Sequence, residues 1–353
     1  MREISRAAGD PIPEIRGHGI LPRPSGPPVC SGPDAVAMAV GAAHNRRFVT
    51  EGFRMTASTG TSDFLVSTAW LAEHLNDPGV VVLDATTHLL PRPVEPTPEV
   101  PYDVVSGLSD FSKGHVPGAQ YADIDGELSD RSHSLHFMLC PPEQFADGMA
   151  RLGVGDDTTV ICYSTAFHWW ATRLWWMLRV YGHTKTRVLD GGFQKWIAEG
   201  RPVETGGGRA RDRRVFTARF DPDRVASKRD VLAAIGDTGI CTINALRPEQ
   251  HAGGGTTNYG RPGHITGSVN VAAVDMVRPD NTFKPLDELR GLLADAMATP
   301  RVVTYCGGGI AASSVTLALT MLGHPDVRLY DASLSEWAPD PALPMSTPGT
   351  SAG

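Results

Sequence analysis

At residues 301–306 the chain reads RVVTYC, and at residues 159–164 it reads TVICYS. Both are short apolar runs without polar alternation, which is the pattern of a strand buried on both faces of a sheet. Two further runs, VVVLDA at residues 80–85 and ICTINA at residues 240–245, precede them in the same order. The chain therefore contains an internal repeat, which predicts two copies of one fold.

Further landmarks support the repeat. Each copy has a Gly-His loop, at residues 114–119 and 263–268, and a helical segment after its second apolar run, at residues 171–181 and 311–322. Four residues of the first copy recur with the same spacing in the second, namely Gly182, His183, Asp190 and Trp196 as Gly323, His324, Asp331 and Trp337. Strands that alternate with helices predict an α/β fold, in which each copy is a parallel sheet with helices on both faces.

The composition of the chain divides it into four parts. Residues 1–60 are rich in Pro, Gly, Ser and Arg without a sustained period, so we expect a disordered tail. Residues 62–204 and 224–345 hold the two predicted domains, and the Gly- and Arg-rich residues 205–223 are the predicted linker. Met55 lies just before the first ordered pattern and is an alternative start of the protein.

Charge and hydropathy exclude several classes of function. The chain has 353 residues and a net charge of −7, which favours neither a nucleic-acid surface nor a polybasic membrane anchor. No stretch is as long as the roughly 18 apolar residues of a membrane-spanning helix. The N-terminal residues lack the order of a secretory signal, so we expect a cytoplasmic protein without a membrane or nucleic-acid partner.

The cysteine pattern argues against a disulfide framework or a zinc site. The chain has five cysteines, an odd number, and no two of them have CxxC spacing. Cys162 and Cys241 lie within apolar runs and are expected in the core, whereas Cys140 precedes two prolines in a loop that could be exposed. Cys30 lies in the predicted tail.

Cys306 has a different setting. It ends a predicted parallel strand, Gly307, Gly308 and Gly309 follow it, and a helix begins just after Ile310. The carboxyl ends of parallel strands are where open α/β sheets bind ligands, and glycines allow successive N–H groups to surround an anion. The start of the next helix adds further N–H groups, so this arrangement favours a reactive thiolate. The alternative is a buried structural cysteine followed by a turn.

Four motifs, FSKGHVPGA at 111–119, ATRLWWML at 171–178, LDGGF at 189–193 and YDASLSEW at 330–337, resemble signatures of one family. This is the two-domain rhodanese family, the thiosulfate and 3-mercaptopyruvate sulfurtransferases, and the resemblance covers about residues 62–345. It implies tandem rhodanese-like domains, of which only the second is catalytic. Ser164 is the counterpart of Cys306, so the first domain is expected to supply one wall of a cleft.

The resemblance implies a set of site residues. Cys306 is the expected catalytic residue, and Arg173 is the expected ligand of the anionic donor. The loop residues expected to bind substrate are Gly307, Gly308, Gly309, Ile310 and Ala311. Arg247 and Arg261 are weaker candidates that could equally pair with surface carboxylates.

The loop itself departs from the family. The sequence CGGGIA at 306–311 is similar to the CGSGVT loop of mercaptopyruvate enzymes, but Gly308 and Ala311 replace its two hydroxyl residues. Asn244 stands where an Asp is common, and Leu246 where an Arg is common. The choice between thiosulfate and 3-mercaptopyruvate therefore stays open.

We expect a double displacement, in which the Cys306 thiolate takes sulfur from a small anionic donor and passes it to cyanide, a thiol or a thioredoxin-like protein. No metal or organic cofactor is expected. A cysteine phosphatase is excluded because its loop needs an Arg, and none follows Cys306 before the helix. A non-enzymatic persulfide carrier or binding module is the remaining alternative.

The other chemically versatile side chains have simpler expected roles. His115 and His264 occupy matching Gly-His loops, so a structural hydrogen bond to the backbone is expected of both. Trp175 and Trp176 are expected to pack between helix and sheet, while Trp169 and Trp170 could line the cleft.

Overall fold

The computed structural model of the protein describes residues 61–91, 102–165, 167–255 and 259–347. The predicted tail, Met55 and Cys30 lie outside these ranges. Within them, no helix has the length and apolar character needed to cross a bilayer.

The N-terminal half begins with a 3₁₀ turn at Thr61–Asp63. Its strands are β1 (Leu65–Val66), β2 (Val80–Asp84), β3 (Thr87–Leu90), β4 (Asp103–Ser106), β5 (Gln120–Tyr121), β6 (Thr159–Tyr163) and β7 (Thr186–Leu189). Its helices are α1 (Thr68–His74), α2 (Leu108–Lys113), α3 (Pro142–Arg151), α4 (His168–Val180) and α5 (Gly192–Ala198).

The C-terminal half begins with a 3₁₀ turn at Pro222–Arg224 and has another at Ala273–Met276. Its strands are β8 (Val225–Ala226), β9 (Ile240–Asn244), β10 (His264–Ile265), β11 (Val269–Asn270), β12 (Arg301–Tyr305), β13 (Val327–Tyr330) and β14 (Met345–Ser346). Its helices are α6 (Lys228–Ala234), α7 (Pro248–His251), α8 (Leu286–Leu292), α9 (Ala294–Met297), α10 (Ala312–Met321) and α11 (Ser333–Trp337).

Two parallel five-stranded sheets confirm the predicted repeat. The first has the order β1-β7-β6-β2-β5, and the second has the matching order β8-β13-β12-β9-β11. The registers also match, because Asp84 pairs with Tyr163 in one sheet and Asn244 with Tyr305 in the other. Both phenol oxygens accept a backbone N–H from the Gly-His loop of their own half. The apolar runs therefore form the central strands of two equivalent sheets.

Both faces of each sheet are covered, as uninterrupted apolar strands require. In β2, Val81 and Leu83 belong to one apolar cluster, while Val80 and Val82 belong to another on the opposite face. The first cluster continues through α4 and α10 into the second sheet, so one core spans both halves. This shared core fixes the N-terminal half against the loop at residues 306–311, which follows β12.

Polar contacts cross the same interface in a reciprocal way. The Asp190 carboxylate of the N-terminal half accepts the Phe283 N–H at 2.7 Å, and Asp331 of the C-terminal half accepts the Leu139 N–H at 3.0 Å. Between the helices, the Thr172 hydroxyl lies 2.7 Å from that of Ser313 and 3.1 Å from that of Ser314. Matching positions of the repeat thus hold the two halves together.

All the cysteines among the described residues are buried, including Cys140, for which the sequence allowed an exposed position. Cys162 and Cys241 are buried in β6 and β9. Cys140 is also buried, so its expected exposure is wrong. Its Sγ donates to the Leu128 carbonyl at 3.3 Å, and burial raises the pKa of its thiol to about 11. The two prolines after it begin α3 rather than an exposed loop.

Candidate active site

Cys306 directly follows β12, at the carboxyl end of the central strands of the second sheet. The side chain lies at the base of a cleft of about 230 Å³ and is only 2% exposed. Gly307, Gly308, Ile310 and Ala311, four of the five loop residues expected to bind substrate, line this cleft with it. Cys306 therefore lies at the carboxyl edge of the second sheet, which is where open α/β sheets bind ligands.

The loop offers unpaired backbone donors to the cleft. Within the described residues, the N–H groups of Gly307, Gly308, Ile310 and Ala311 have no protein acceptor. They belong to the loop that follows Cys306 and leads into α10, and the N–H groups at a helix start carry partial positive charge. These N–H groups therefore leave the loop after Cys306 with hydrogen-bond donors for an anion.

Ser333 fixes the shape of the loop from below. Its Oγ accepts the N–H groups of Cys306 and Gly309, both at 3.1 Å, and donates to the Tyr330 carbonyl at 2.7 Å. Ser333 has a φ of +50°, a conformation that is uncommon for a residue with a side chain. No local sequence pattern marks this residue, because its role depends on a fold-back of the chain after β13.

Arg173 lies under the loop rather than in the cleft. Its side chain is fully buried and forms an ion pair with Asp331 at 2.6 Å. The guanidinium also donates to the Gly309 carbonyl at 3.2 Å and to the Phe137 carbonyl, and it stacks over Trp176. Because protein acceptors occupy it, the predicted contact between Arg173 and the donor is not favoured by this arrangement. Gly309 likewise faces Arg173 and Ser333 instead of the cleft.

The two weaker arginine candidates, Arg247 and Arg261, have different surroundings. Arg247 lines the cleft and is exposed, so it is placed to meet an anionic donor. Arg261 donates to the backbone carbonyls of Trp337, Ala338, Asp340 and Leu343. It binds the segment after α11 and has a structural role, although its partners are carbonyls and not the carboxylates considered from the sequence.

The N-terminal half supplies the opposite wall of the cleft. The residues of this wall are Leu89, Tyr102, Phe167 and Trp169. The C-terminal half adds the aromatic ring of Tyr259 to the cleft. Trp169 lines the cleft as the sequence analysis allowed, whereas Trp170 is buried in the core with Trp175 and Trp176. Leu89, Tyr102 and Tyr259 were missed because they come from segments without a hydrophobic period.

The matching histidines have structural roles, as predicted. His115 Nδ1 lies 2.8 Å from the Phe111 carbonyl, and His264 Nδ1 lies 2.8 Å from the His251 carbonyl. Ser164, the counterpart of Cys306, donates its hydroxyl to the Phe167 carbonyl at 2.7 Å. Among the described residues, no three His, Cys, Asp or Glu side chains lie close enough together to hold a metal ion.

Comparisons with known proteins agree with this architecture. A family model described as "Rhodanese-like domain" matches residues 67–199 and 231–340. The 3-mercaptopyruvate sulfurtransferase of Escherichia coli K12 is 34% identical over 296 residues, which cover 81% of this chain and 98% of that protein. The thiosulfate sulfurtransferase of Cricetulus griseus is 32% identical over 289 residues, with coverages of 77% and 91%.

A solved structure shows the same likeness in three dimensions. The crystal structure of SseA from Escherichia coli, a 3-mercaptopyruvate sulfotransferase with the rhodanese fold, is 33% identical and gives a TM-score of 0.64. The match covers 76% of this chain and 98% of that one. On the evidence of its two matching sheets, its cysteine loop and these relatives, the chain belongs to the rhodanese family and carries two rhodanese-like domains in tandem.

Proposed function

We propose that this enzyme, a sulfurtransferase, moves a sulfane sulfur from thiosulfate or 3-mercaptopyruvate to a thiophilic acceptor through a persulfide on Cys306. The observation that carries the proposal is the position of Cys306 in a cleft, next to a loop with four N–H groups that have no acceptor among the described residues. Relatives that act on either donor share the fold, so both donors belong to the proposal.

The first half-reaction forms the persulfide. The Cys306 thiolate attacks the outer sulfur of thiosulfate, an S–S bond forms, and sulfite leaves with the electron pair of the old S–S bond. With 3-mercaptopyruvate, the thiolate attacks the thiol sulfur and the C–S bond breaks. Its electron pair enters the leaving enolate, which takes up a proton to become pyruvate. The loop N–H groups stabilise the negative charge that remains on the terminal sulfur.

The second half-reaction returns the thiolate. A nucleophile such as cyanide or a thiol attacks the terminal sulfur of the persulfide, and the Cys306 sulfur leaves with the electron pair. The exposed opening of the cleft beside Phe167 and Arg247 is the route for this acceptor. A reduced thioredoxin-like protein would have to present its thiol at the same opening. The chemistry requires no cofactor.

The test is sulfur transfer to cyanide, measured with each donor separately on the wild type and on Cys306→Ser. We expect thiocyanate formation by the wild type and none above background by the variant. Turnover only with a protein thiol, and not with cyanide, would favour the persulfide carrier instead. Equal rates for the wild type and Cys306→Ser would remove Cys306 from the reaction.

A further inference from the structure

Tyr102 reaches across from the N-terminal half and lies over the catalytic loop. It directly precedes β4 and lines the cleft opposite Cys306. A Cβ placed on Gly308 would lie 3.5 Å from the Tyr102 phenol oxygen and 3.7 Å from the Ser335 hydroxyl. The phenol therefore occupies the space that a longer side chain at position 308 would use, and its oxygen lies beside the loop backbone.

The Tyr102 hydroxyl is available for a ligand. The chain has seven tyrosines, and all lie in the described ranges. Five of them have hydroxyls engaged in hydrogen bonds within the protein, namely Tyr121, Tyr163, Tyr181, Tyr305 and Tyr330. Among the described residues, the hydroxyls of Tyr102 and Tyr259 have no such bond, and both residues line this cleft. The two phenols without a hydrogen-bond partner among the described residues thus both lie at the loop after Cys306.

The surroundings keep Tyr102 in its neutral form. Burial raises the pKa of its phenol, and the nearby Cys306 and Asp125 raise it further. A phenol with a raised pKa stays protonated at neutral pH, so it can donate a hydrogen bond but brings no charge. Among the described residues that line the cleft, Arg247 is the cationic one, and the loop itself is uncharged.

The two sulfur donors, 3-mercaptopyruvate and thiosulfate, differ in how much a neutral hydrogen-bond donor can speed their reaction. When the C–S bond of 3-mercaptopyruvate breaks, charge that was absent before develops on the keto oxygen of the leaving enolate. A preorganised neutral donor at that oxygen stabilises the transition state more than the ground state. Thiosulfate already carries its charge before the S–S bond breaks, so a single neutral donor changes its barrier less.

We propose that Tyr102 is a catalytic residue for the α-keto thiol donor and donates its O–H to the keto oxygen as the C–S bond breaks. The Cys306 thiolate forms the new S–S bond, and the C–S electron pair enters the enolate. The proton released from the donor's thiol balances the one taken up by the enolate carbon, and the phenol keeps its own. This inference rests on the persulfide function proposed above and assigns its donor to the α-keto thiol class.

The first experiment compares Tyr102→Phe with the wild type, using 3-mercaptopyruvate and thiosulfate separately with cyanide as acceptor. We expect kcat with 3-mercaptopyruvate to fall about 10²-fold, the scale of losing one preorganised donor, and kcat with thiosulfate to change far less. The matched control is Tyr121→Phe, because the Tyr121 hydroxyl is engaged with the Thr86 carbonyl outside the cleft. That variant should keep the wild-type ratio of the two donor rates.

A second variant tests the position of the hydroxyl. A Cβ at position 308 meets only ordinary van der Waals contacts and lies 3.5 Å from the oxygen that Tyr102→Phe removes, so a serine there brings a hydroxyl close to that position. Adding Gly308→Ser to Tyr102→Phe should therefore restore much of the lost 3-mercaptopyruvate rate. Failure of this rescue in a folded protein would show that a hydroxyl at this place does not supply the lost rate, and it would overturn the proposal.

An equal loss with both donors, or no loss with either, would also overturn the role of Tyr102. Each of these outcomes leaves the persulfide function standing as long as Cys306→Ser is inactive. An active Cys306→Ser protein would instead refute the proposed function on which the role of Tyr102 rests. Thermal unfolding of every variant separates these results from misfolding.

Discussion

Ser333 connects the catalytic loop to the strand beside it through one hydroxyl. Replacing Ser333 by Ala leaves the N–H groups of Cys306 and Gly309 buried without their acceptor. An unsatisfied buried donor costs about 1–3 kcal/mol, so we expect Ser333→Ala to lower the free energy of unfolding by about that amount. Urea unfolding measures this loss, and a variant as stable as the wild type would show that water replaces the hydroxyl.

Asp84 gives a second prediction at the level of one residue. The side chain is fully buried, and burial raises its pKa from 3.8 to about 6. A carboxyl whose pKa is raised by folding binds its proton more tightly in the folded state. Its contribution to stability is therefore present below pH 3.8 and is lost as the pH rises through about 6.

Asp84→Asn should remove this dependence on pH. In the matching position of the repeat, Asn244 already accepts the Leu246 N–H through its side-chain oxygen, as Asp84 accepts the Thr86 N–H. We expect the variant to unfold with a free energy higher by on the order of 3 kcal/mol at neutral pH, and to match the wild type near pH 4. Urea unfolding across this range tests it, and a difference independent of pH would contradict it.

At the level of elements, α4 holds the loop that follows β12. Arg173 on α4 pairs with Asp331 after β13 and donates to Gly309 within the loop. Removing one partner of a buried ion pair costs about 3–5 kcal/mol, so Arg173→Met should lower the free energy of unfolding by that amount. Adding Asp331→Asn should recover part of the loss, because it removes the charge left unpaired.

A double-mutant cycle measured by urea unfolding checks this coupling. Additive losses would show that Arg173 and Asp331 do not depend on each other. A rise in KM for the donor, without loss of stability, would restore the direct role in donor binding that the sequence suggested for Arg173.

The elements that were predicted correctly share one property, a hydrophobic pattern set by burial. The apolar runs ended within one residue of the observed β2, β6, β9 and β12 because strands buried on both faces lack the polar alternation of half-exposed strands. The hairpin of β3 and β4 was missed, since a Pro-rich segment separates its two strands. Tyr102 directly precedes β4, so the missed hairpin also hid a residue of the cleft.

Within the site, too, the residues that could be predicted are those with a local sequence pattern. Cys306 and its loop could be predicted because strand, glycines and helix are adjacent in the sequence. Arg173 was expected in the cleft, but its position depends on how α4 packs against α10, and no local pattern encodes that packing. Ser333 and Tyr259 act through contacts between distant segments and carry no local signal.

At the scale of the whole molecule, the catalytic loop depends on the N-terminal half. Every residue of α10 except Thr320 is buried, and α10 packs against α4 across the interface. A C-terminal half produced alone would expose this apolar surface and lose Leu89, Tyr102, Phe167 and Trp169 from its cleft. We expect residues 205–353 to be insoluble and inactive alone and to recover activity when produced together with the N-terminal half. Full activity of the isolated half would contradict this dependence.

The most direct measurement of the central claim is the intact mass of the protein after incubation with a sulfur donor and no acceptor. We predict that the wild type gains the mass of one sulfur atom, that peptide analysis places it on Cys306, and that cyanide removes it. Cys306→Ser should gain nothing under the same conditions. An unchanged wild-type mass during active turnover, or sulfur bound equally by both proteins, would contradict a persulfide on Cys306.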